Sequence, residues 1–67
     1  MSIRQRLAAN LRAFRLEKGW SQEEFAHEAE IHRTYISDLE RAARNPSIDI
    51  IEKLANTLGV KAGQLVD

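Results

Sequence analysis

The sequence predicts an all-α fold, a compact bundle of five short helices. Apolar residues recur at intervals of three and four along most of the chain, which is the spacing of amphipathic helices. Serines with helix-capping partners precede two of these stretches, and a single proline marks the plainest break. The chain has 67 residues, near the size at which one core is just sufficient, so we assign residues 1–67 to one domain.

The first helix is predicted to follow Ser2. Ser2 and Gln5 have the spacing of a capping box, in which each side chain bonds the other residue's backbone N–H, and Gly19 is a candidate stop. The inward stripe of this helix is expected to contain Ile3, Leu7, Leu11 and Phe14.

The second helix has the clearest start signal in the chain. Ser21 can cap it, and Glu24, at the third helical position, can complete a capping box. Ile31 marks a tight turn, and a third helix is expected from about residue 33. The residues expected inside are Phe25, Ala26 and Ala29 on the second helix, and Ile36 and Leu39 on the third.

The segment Asn45-Pro46-Ser47 separates the third helix from the fourth, because the proline ends the preceding helix and the serine can cap the next one. The fourth helix is expected to stop at Gly59. A final short helix over about residues 61–66 is expected to dock through Val60 and Leu65. The inward stripe predicted for the fourth helix is Ile48, Ile51, Leu54, Ala55 and Leu58.

Charge is balanced overall but segregated along the chain. The sequence has ten lysines and arginines against ten acidic residues, which gives no bulk support for nucleic-acid binding. Residues 1–18, however, are rich in arginine, whereas residues 19–31 contain four glutamates and no lysine or arginine. A chain segregated in this way can present opposed charged faces, so net charge alone does not decide the function.

Several classes of protein are disfavoured by composition. The chain has no cysteine and no apolar run of the roughly 18–20 residues that a membrane span needs, so we expect a cytoplasmic protein without membrane contact. His27 and His32 are five apart, unlike the i, i+4 pair of zinc-protease helices, and we expect no metal. There is no glycine-rich phosphate loop and no nucleophile with a convincing base, so we expect neither an enzyme nor a cofactor.

Three segments, in this order and spacing, carry a resemblance to a known family: RLEKGWSQEEFA, RTYISDLER and NPSIDIIEKLANTLGV. Together they resemble the lambda-repressor and Cro-like helix-turn-helix family over nearly the whole chain. RTYIS followed by LER is similar to the small controller proteins of restriction–modification systems and related regulators. The resemblance implies a five-helix DNA-binding domain whose helix-turn-helix is formed by the second and third helices.

The resemblance also implies which residues contact double-stranded DNA. In this family the second helix lies across the backbone and the third enters the major groove. The matching phosphate-contacting positions are Gln22, Arg41 and Arg44, and the matching base-reading positions are Arg33, Thr34, Ser37 and Asp38. Helical spacing agrees for part of this set: with Ile36 and Leu39 inward, Arg33, Thr34, Ser37 and Arg41 fall on the opposite side of the helix.

Arg15 and Glu40 form a candidate structural ion pair. Arg15 lies beside the apolar stripe of the first helix, and Glu40 lies beside that of the third. The family carries a partly buried pair at the matching positions, so the resemblance implies that Arg15 ties the two helices together and does not contact DNA.

Three residues depart from the family pattern. Glu30 stands where a glycine often ends the second helix, a site that can require positive φ. His32 replaces the usual serine or aspartate cap of the third helix, and Ala42 follows that helix where glycine is common. These departures concern the turn geometry and leave the predicted fold unchanged.

We expect a homodimer acting on a palindromic operator as a sequence-specific transcriptional regulator. Ile50 and Val66 are apolar residues without an obvious internal partner, and family members commonly pair through this C-terminal region. The alternative for Ile50 is that it packs on the C-terminal turn. The alternative for the whole chain is a helical protein–protein interaction module that has lost DNA binding. No small-molecule effector is expected.

Overall fold

A computed structural model describes all 67 residues as five α-helices without a strand, which confirms the predicted fold class. None of these helices has the length and apolar composition that crossing a lipid bilayer requires. The helices are α1 (Ile3–Glu17), α2 (Gln22–Ala29), α3 (Arg33–Glu40), α4 (Ile48–Leu58) and α5 (Ala62–Val66).

Side-chain caps start the helices where the sequence predicts. Ser2 Oγ accepts a hydrogen bond from the Gln5 N–H at 3.2 Å, and Gln5 Oε1 accepts one from the Ser2 N–H at 2.9 Å. Ser21 and Glu24 form the same reciprocal box before α2, with distances of 3.0 and 2.9 Å. These bonds, first the one from the Ser21 backbone, lower the pKa of Glu24. Ser47 caps α4 through a single 3.2 Å bond.

The core draws side chains from all five helices. This shared core explains why so short a chain can fold, since each helix buries its apolar side chains against at least one other helix. The buried core residues are Leu7, Leu11, Phe25, Ala26, Ala29, Ile36, Leu39, Leu54, Ala55, Leu58 and Leu65.

Two predicted core residues are wrong, and both are the first residue of a helix. Ile3 is 55% exposed and Ile48 is 83% exposed. Ile50, expected to face away from the core, is half-buried and packs against it. Around the axis of α4, Ile48 and Ile50 lie at similar angles from the direction that faces the core, one on each side of it. Helical spacing alone therefore does not tell which of the two is buried. Neighbouring helices cover the side of Ile50 and leave the first turn uncovered on the side of Ile48.

Side chains of α1 hold the C-terminal helix in place. Arg6 Nε donates to the Val66 carbonyl at 3.1 Å. Asn10 Nδ2 donates to the carbonyls of Leu65 and Asp67, each at 3.0 Å. A five-residue helix leaves most of its last carbonyls without an internal partner, so these bonds satisfy groups that the helix cannot satisfy itself.

The first four helices all end in the same hydrogen-bond pattern, a Schellman motif with one residue in the left-handed region. Gly19 and Gly59 occupy that position after α1 and α4, with φ of +75° and +73°. Glu30 and Ala42 occupy it after α2 and α3, with φ of +55° and +57°. The positive φ anticipated at Glu30 is therefore confirmed, and α3 lies between two strained positions.

We predict that Ala42→Gly stabilises the protein. Relief of left-handed strain, about 1–2 kcal/mol, exceeds the flexibility cost of glycine, about 0.5–1 kcal/mol, so the free energy of unfolding should rise by about 0.5–1 kcal/mol. The matched control is Ala13→Gly in the exposed middle of α1, which should lower it by about 0.5–1 kcal/mol. Urea denaturation of both variants is the measurement. Destabilisation by Ala42→Gly equal to that by Ala13→Gly would contradict the strain.

Candidate nucleic-acid interface

The α2–α3 unit is a helix-turn-helix whose turn contains Glu30, Ile31 and His32. Glu30 reverses the chain in the left-handed conformation, and the Ile31 N–H donates to the Ala26 carbonyl at 3.0 Å. His32 supplies the cap of α3, since its Nδ1 accepts from the Thr34 N–H at 3.1 Å. The turn is thus built without the glycine and serine or aspartate that the family pattern favours.

The outward face of α3 is polar and begins at the turn. Ile36 and Leu39 are fully buried, and their burial sets which side of α3 faces the core. Arg33 and Thr34 are exposed in the first turn, and Ser37 is half-buried one turn later. The side chains able to donate or accept hydrogen bonds therefore stand at the N-terminal end of α3.

Arg15 and Glu40 are joined by two parallel hydrogen bonds beneath α3. The distances are 2.7 Å from Arg15 Nε to Glu40 Oε2 and 2.9 Å from Nη2 to Oε1. The side chains are only 10% and 5% exposed. The hydrogen bond to Glu40 is the main reason that the pKa of Arg15 is raised.

Two further bonds extend this ion pair towards the start of α2. Arg15 Nη1 donates to the Trp20 carbonyl at 2.9 Å, and Gln22 Nε2 donates to Glu40 Oε1 at 3.1 Å. No buried side-chain nitrogen or oxygen in the protein lacks a hydrogen-bond partner. The cluster of Arg15, Glu40, Gln22 and the Trp20 carbonyl, which we name the buried hub, therefore fixes the start of α2 relative to the end of α3.

A second charged cluster lies at the surface where α3 ends. Asp38 Oδ1 accepts from Arg41 Nη2 at 2.5 Å, and Asp38 Oδ2 accepts from Arg44 Nη2 at 3.1 Å. The Arg44 guanidinium also lies 4.4 Å from the centre of the Tyr35 ring, a cation–π geometry. The bonds from Arg41 and then Arg44 hold the pKa of Asp38 below its usual value. We name Asp38, Arg41, Arg44 and Tyr35 the Asp38 cluster.

Sequence reasoning missed these partners for two of its site residues. Asp38, a predicted base contact, has both carboxylate oxygens bonded to arginines, and Gln22, a predicted phosphate contact, is bonded to Glu40. The i, i+3 spacing of Asp38 and Arg41 is a signal that could have suggested the first. No sequence spacing indicates the second, because Gln22 and Glu40 meet only through the packing of α2 on α3.

The predicted dimer residues belong to α4 and α5, outside the helix-turn-helix. Ile50 and Val66 are both half-buried. Val66 lines a small cavity of about 50 Å³ together with Ile3 and Ile51. Ile48, one turn before Ile51, is the most exposed of the large apolar residues. The exposed apolar surface of α4 therefore centres on Ile48.

The acidic residues of α2 have local roles in that helix. Glu23 and Glu24 occupy its first turn, where the helix dipole favours negative charge. Glu28 and His27 are exposed.

No group of three histidine, aspartate or glutamate side chains is arranged to hold a metal ion.

Comparison with known proteins identifies the relatives of this chain. The model of the helix-turn-helix family HTH_3 matches residues 11–65. A hypothetical transcription factor of Neisseria meningitidis is 50% identical over 64 residues, which cover 96% of this chain and 60% of that protein. Control protein C.BamHI of Bacillus amyloliquefaciens is 48% identical over 67 residues, covering 98% of this chain and 83% of that protein.

Solved structures agree with these matches. The crystal structure of the Neisseria factor superposes with a TM-score of 0.96 at 48% identity, over 98% of this chain and 76% of that one. The restriction–modification controller protein C.Esp1396I, solved as a tetramer in complex with its natural 35-base-pair operator, superposes with a TM-score of 0.86 at 32% identity, over 97% and 86%. The prediction of a regulator of this family, not an enzyme, is confirmed.

We predict that Arg15 and Glu40 are energetically coupled. Removal of one partner leaves a charge in a dry site, so Arg15→Ala and Glu40→Ala should each lower the free energy of unfolding by about 3 kcal/mol, beyond the 0–1 kcal/mol of a surface pair. The double variant should lose less than the sum of the single losses. Glu17→Ala, at an exposed acid of α1, is the control and should change little. Strictly additive losses in urea melts would mean that the pair does not interact.

Proposed function

Since this chain belongs to the helix-turn-helix family HTH_3, we propose that it is a sequence-specific DNA-binding transcription regulator that acts as a homodimer on a palindromic operator. The observation that carries the proposal is the exposed first turn of α3, which has the start of α2 and the arginines after α3 as neighbours in the same helix-turn-helix unit. That arrangement suits a helix inserted in the major groove with backbone contacts on either side.

Base reading is assigned to the first turns of α3. Arg33 can fork onto O6 and N7 of guanine, and Thr34 can bond a base edge or set its methyl group against thymine. Ser37, one turn later, can donate or accept. For Asp38 we propose a role through Arg41 and Arg44, which bond its two carboxylate oxygens, in place of the base contact that the resemblance implies.

Phosphate contacts are assigned to the two flanks of α3. The N-terminus of α2 presents free backbone N–H groups beside Gln22, an arrangement that favours an anion. Arg41 and Arg44 have side chains that are 65% and 43% exposed, so both can reach a backbone phosphate. A chain of zero net charge can bind a polyanion in this way, because its arginines lie at the proposed phosphate contacts while the glutamates in the first turn of α2 stabilise that helix.

The homodimer is supported by the exposed apolar surface of α4. Ile48 is 83% exposed, the highest fraction among the large apolar residues, and a partner chain packed against it would remove that surface from water. Ile50 and Val66 remain predicted dimer contacts. The C.Esp1396I controller was solved as a tetramer with its operator, which supports self-association in a related chain. A two-fold pair would place its α3 helices about 34 Å apart, in successive major grooves.

The first prediction of the proposed function concerns base reading by Arg33. After selection of a preferred duplex from a random library, Arg33→Ala should weaken binding to it by about 1–3 kcal/mol and relax the preference at one position of each half-site. Arg33→Lys is the matched control, because it keeps the charge but loses the planar fork, and it should also relax the preference. Repeating the selection with each variant is the measurement. An unchanged base preference in both variants would remove Arg33 from the reading set, and failure of wild type to select any sequence would favour the interaction-module alternative.

The second prediction concerns the dimer. Ile48→Glu should give a folded protein that dimerises more weakly, binds a half-site weakly and loses tight binding to the full operator, because a charge replaces an apolar contact at the interface. Leu16→Glu, the same change at an exposed leucine of α1, is the control and should leave self-association unaltered. Sedimentation of the three proteins over a broad concentration range decides it. Equal dimerisation of Ile48→Glu and wild type would place the interface elsewhere.

A further inference from the structure

The Asp38 cluster contains both arginines that the proposed function assigns to phosphates. Each arginine donates to Asp38 through Nη2, a terminal nitrogen of the guanidinium. Terminal guanidinium nitrogens are also the atoms that a phosphate oxygen would contact. A carboxylate therefore occupies donors that a duplex would otherwise use.

Asp38 also lowers the local charge. Arg41 and Arg44 together carry two positive charges, and Asp38 offsets one of them at hydrogen-bond distance. Its negative charge opposes the approach of any phosphate to the same spot. Both effects act in the same direction, and neither depends on the base sequence.

The ion pairs of the Asp38 cluster are expected to contribute little to the stability of the fold. The Asp38 side chain is 19% exposed and both arginines are far more exposed, and surface ion pairs of this kind contribute little to folding. The two other charged residues of α3, Arg33 and Glu40, lie respectively in the proposed reading face and in the buried hub. Asp38 is thus the acid of α3 that acts on the phosphate-directed arginines.

We propose that Asp38 restrains Arg41 and Arg44 and so lowers the sequence-independent part of DNA binding. This inference rests on the proposed function, since it assumes that the two arginines bind phosphates. By weakening the contacts that every duplex offers, Asp38 leaves the base contacts of α3 with a larger share of the total affinity. Asp38 is therefore a positioning residue that acts through the arginines and does not itself touch a base.

The test compares Asp38→Asn with wild type in fluorescence-anisotropy titrations on a labelled random duplex and on a selected duplex. We expect Asp38→Asn to bind both duplexes about 3- to 10-fold more tightly at low salt, the range that two surface ion pairs can supply. Asp38→Ala should shift affinity in the same direction. Glu17→Gln, which removes an exposed acid of α1 that forms no ion pair, is the matched control and should have a smaller effect.

The same substitution in a protein without the two arginines distinguishes an effect of Asp38 through Arg41 and Arg44 from a direct effect of its negative charge. In a protein that already carries Arg41→Ala and Arg44→Ala, Asp38→Asn should gain clearly less affinity than it gains in the wild-type background. Weaker binding by Asp38→Asn would show that Asp38 instead preorganises the arginines for phosphate, and would overturn the inference. A gain of the same size with and without the arginines would overturn it as well. If wild type binds no duplex, the proposed function fails first; if wild type binds and Asp38→Asn is unchanged, only this inference fails.

Discussion

The ion pair between Arg15 and Glu40 joins α1 to α3 at a nearly dry point, and the same carboxylate holds Gln22 at the start of α2. Burial of two charges is costly unless geometry and further hydrogen bonds compensate. Here the contact is bidentate, and the Trp20 carbonyl occupies the remaining guanidinium nitrogen. This cluster therefore ties the start of α2 to the end of α3, and the proposed DNA contacts lie on these two helices and just after α3.

Charge placement explains how a chain of zero net charge can suit a polyanion. The acids in the first turn of α2 stabilise that helix or complete its cap, and the Glu40 carboxylate is already hydrogen-bonded within the buried hub. Arg33 remains exposed, while Arg41 and Arg44 are held beside Asp38. The protein thus combines free and restrained cations on one side of the helix-turn-helix. Net charge gives only the sum of these positive and negative residues and says nothing of where they lie on the surface.

The sequence was most informative where one residue's chemistry determines the local backbone. The Ser2 and Ser21 capping boxes and the left-handed Glu30 were predictable because each depends on neighbours within a few residues. Ile48 was misjudged because burial in the first turn of a helix depends on which surfaces the other helices cover. The partners of Gln22 and Asp38 were missed for a related reason: exposed polar side chains have several possible partners, and only tertiary packing selects among them.

The proposed DNA-binding surface is the face of α3 opposite the buried Ile36 and Leu39. An NMR titration of ¹⁵N-labelled protein with a selected duplex is the decisive test, because amide shifts report the contact surface residue by residue. We expect the largest shifts at the start of α2, in the first two turns of α3 and at Arg41 and Arg44, with little change in α5. Shifts concentrated at the far end of α2 around Glu28 or on α5, or none at all, would contradict this assignment.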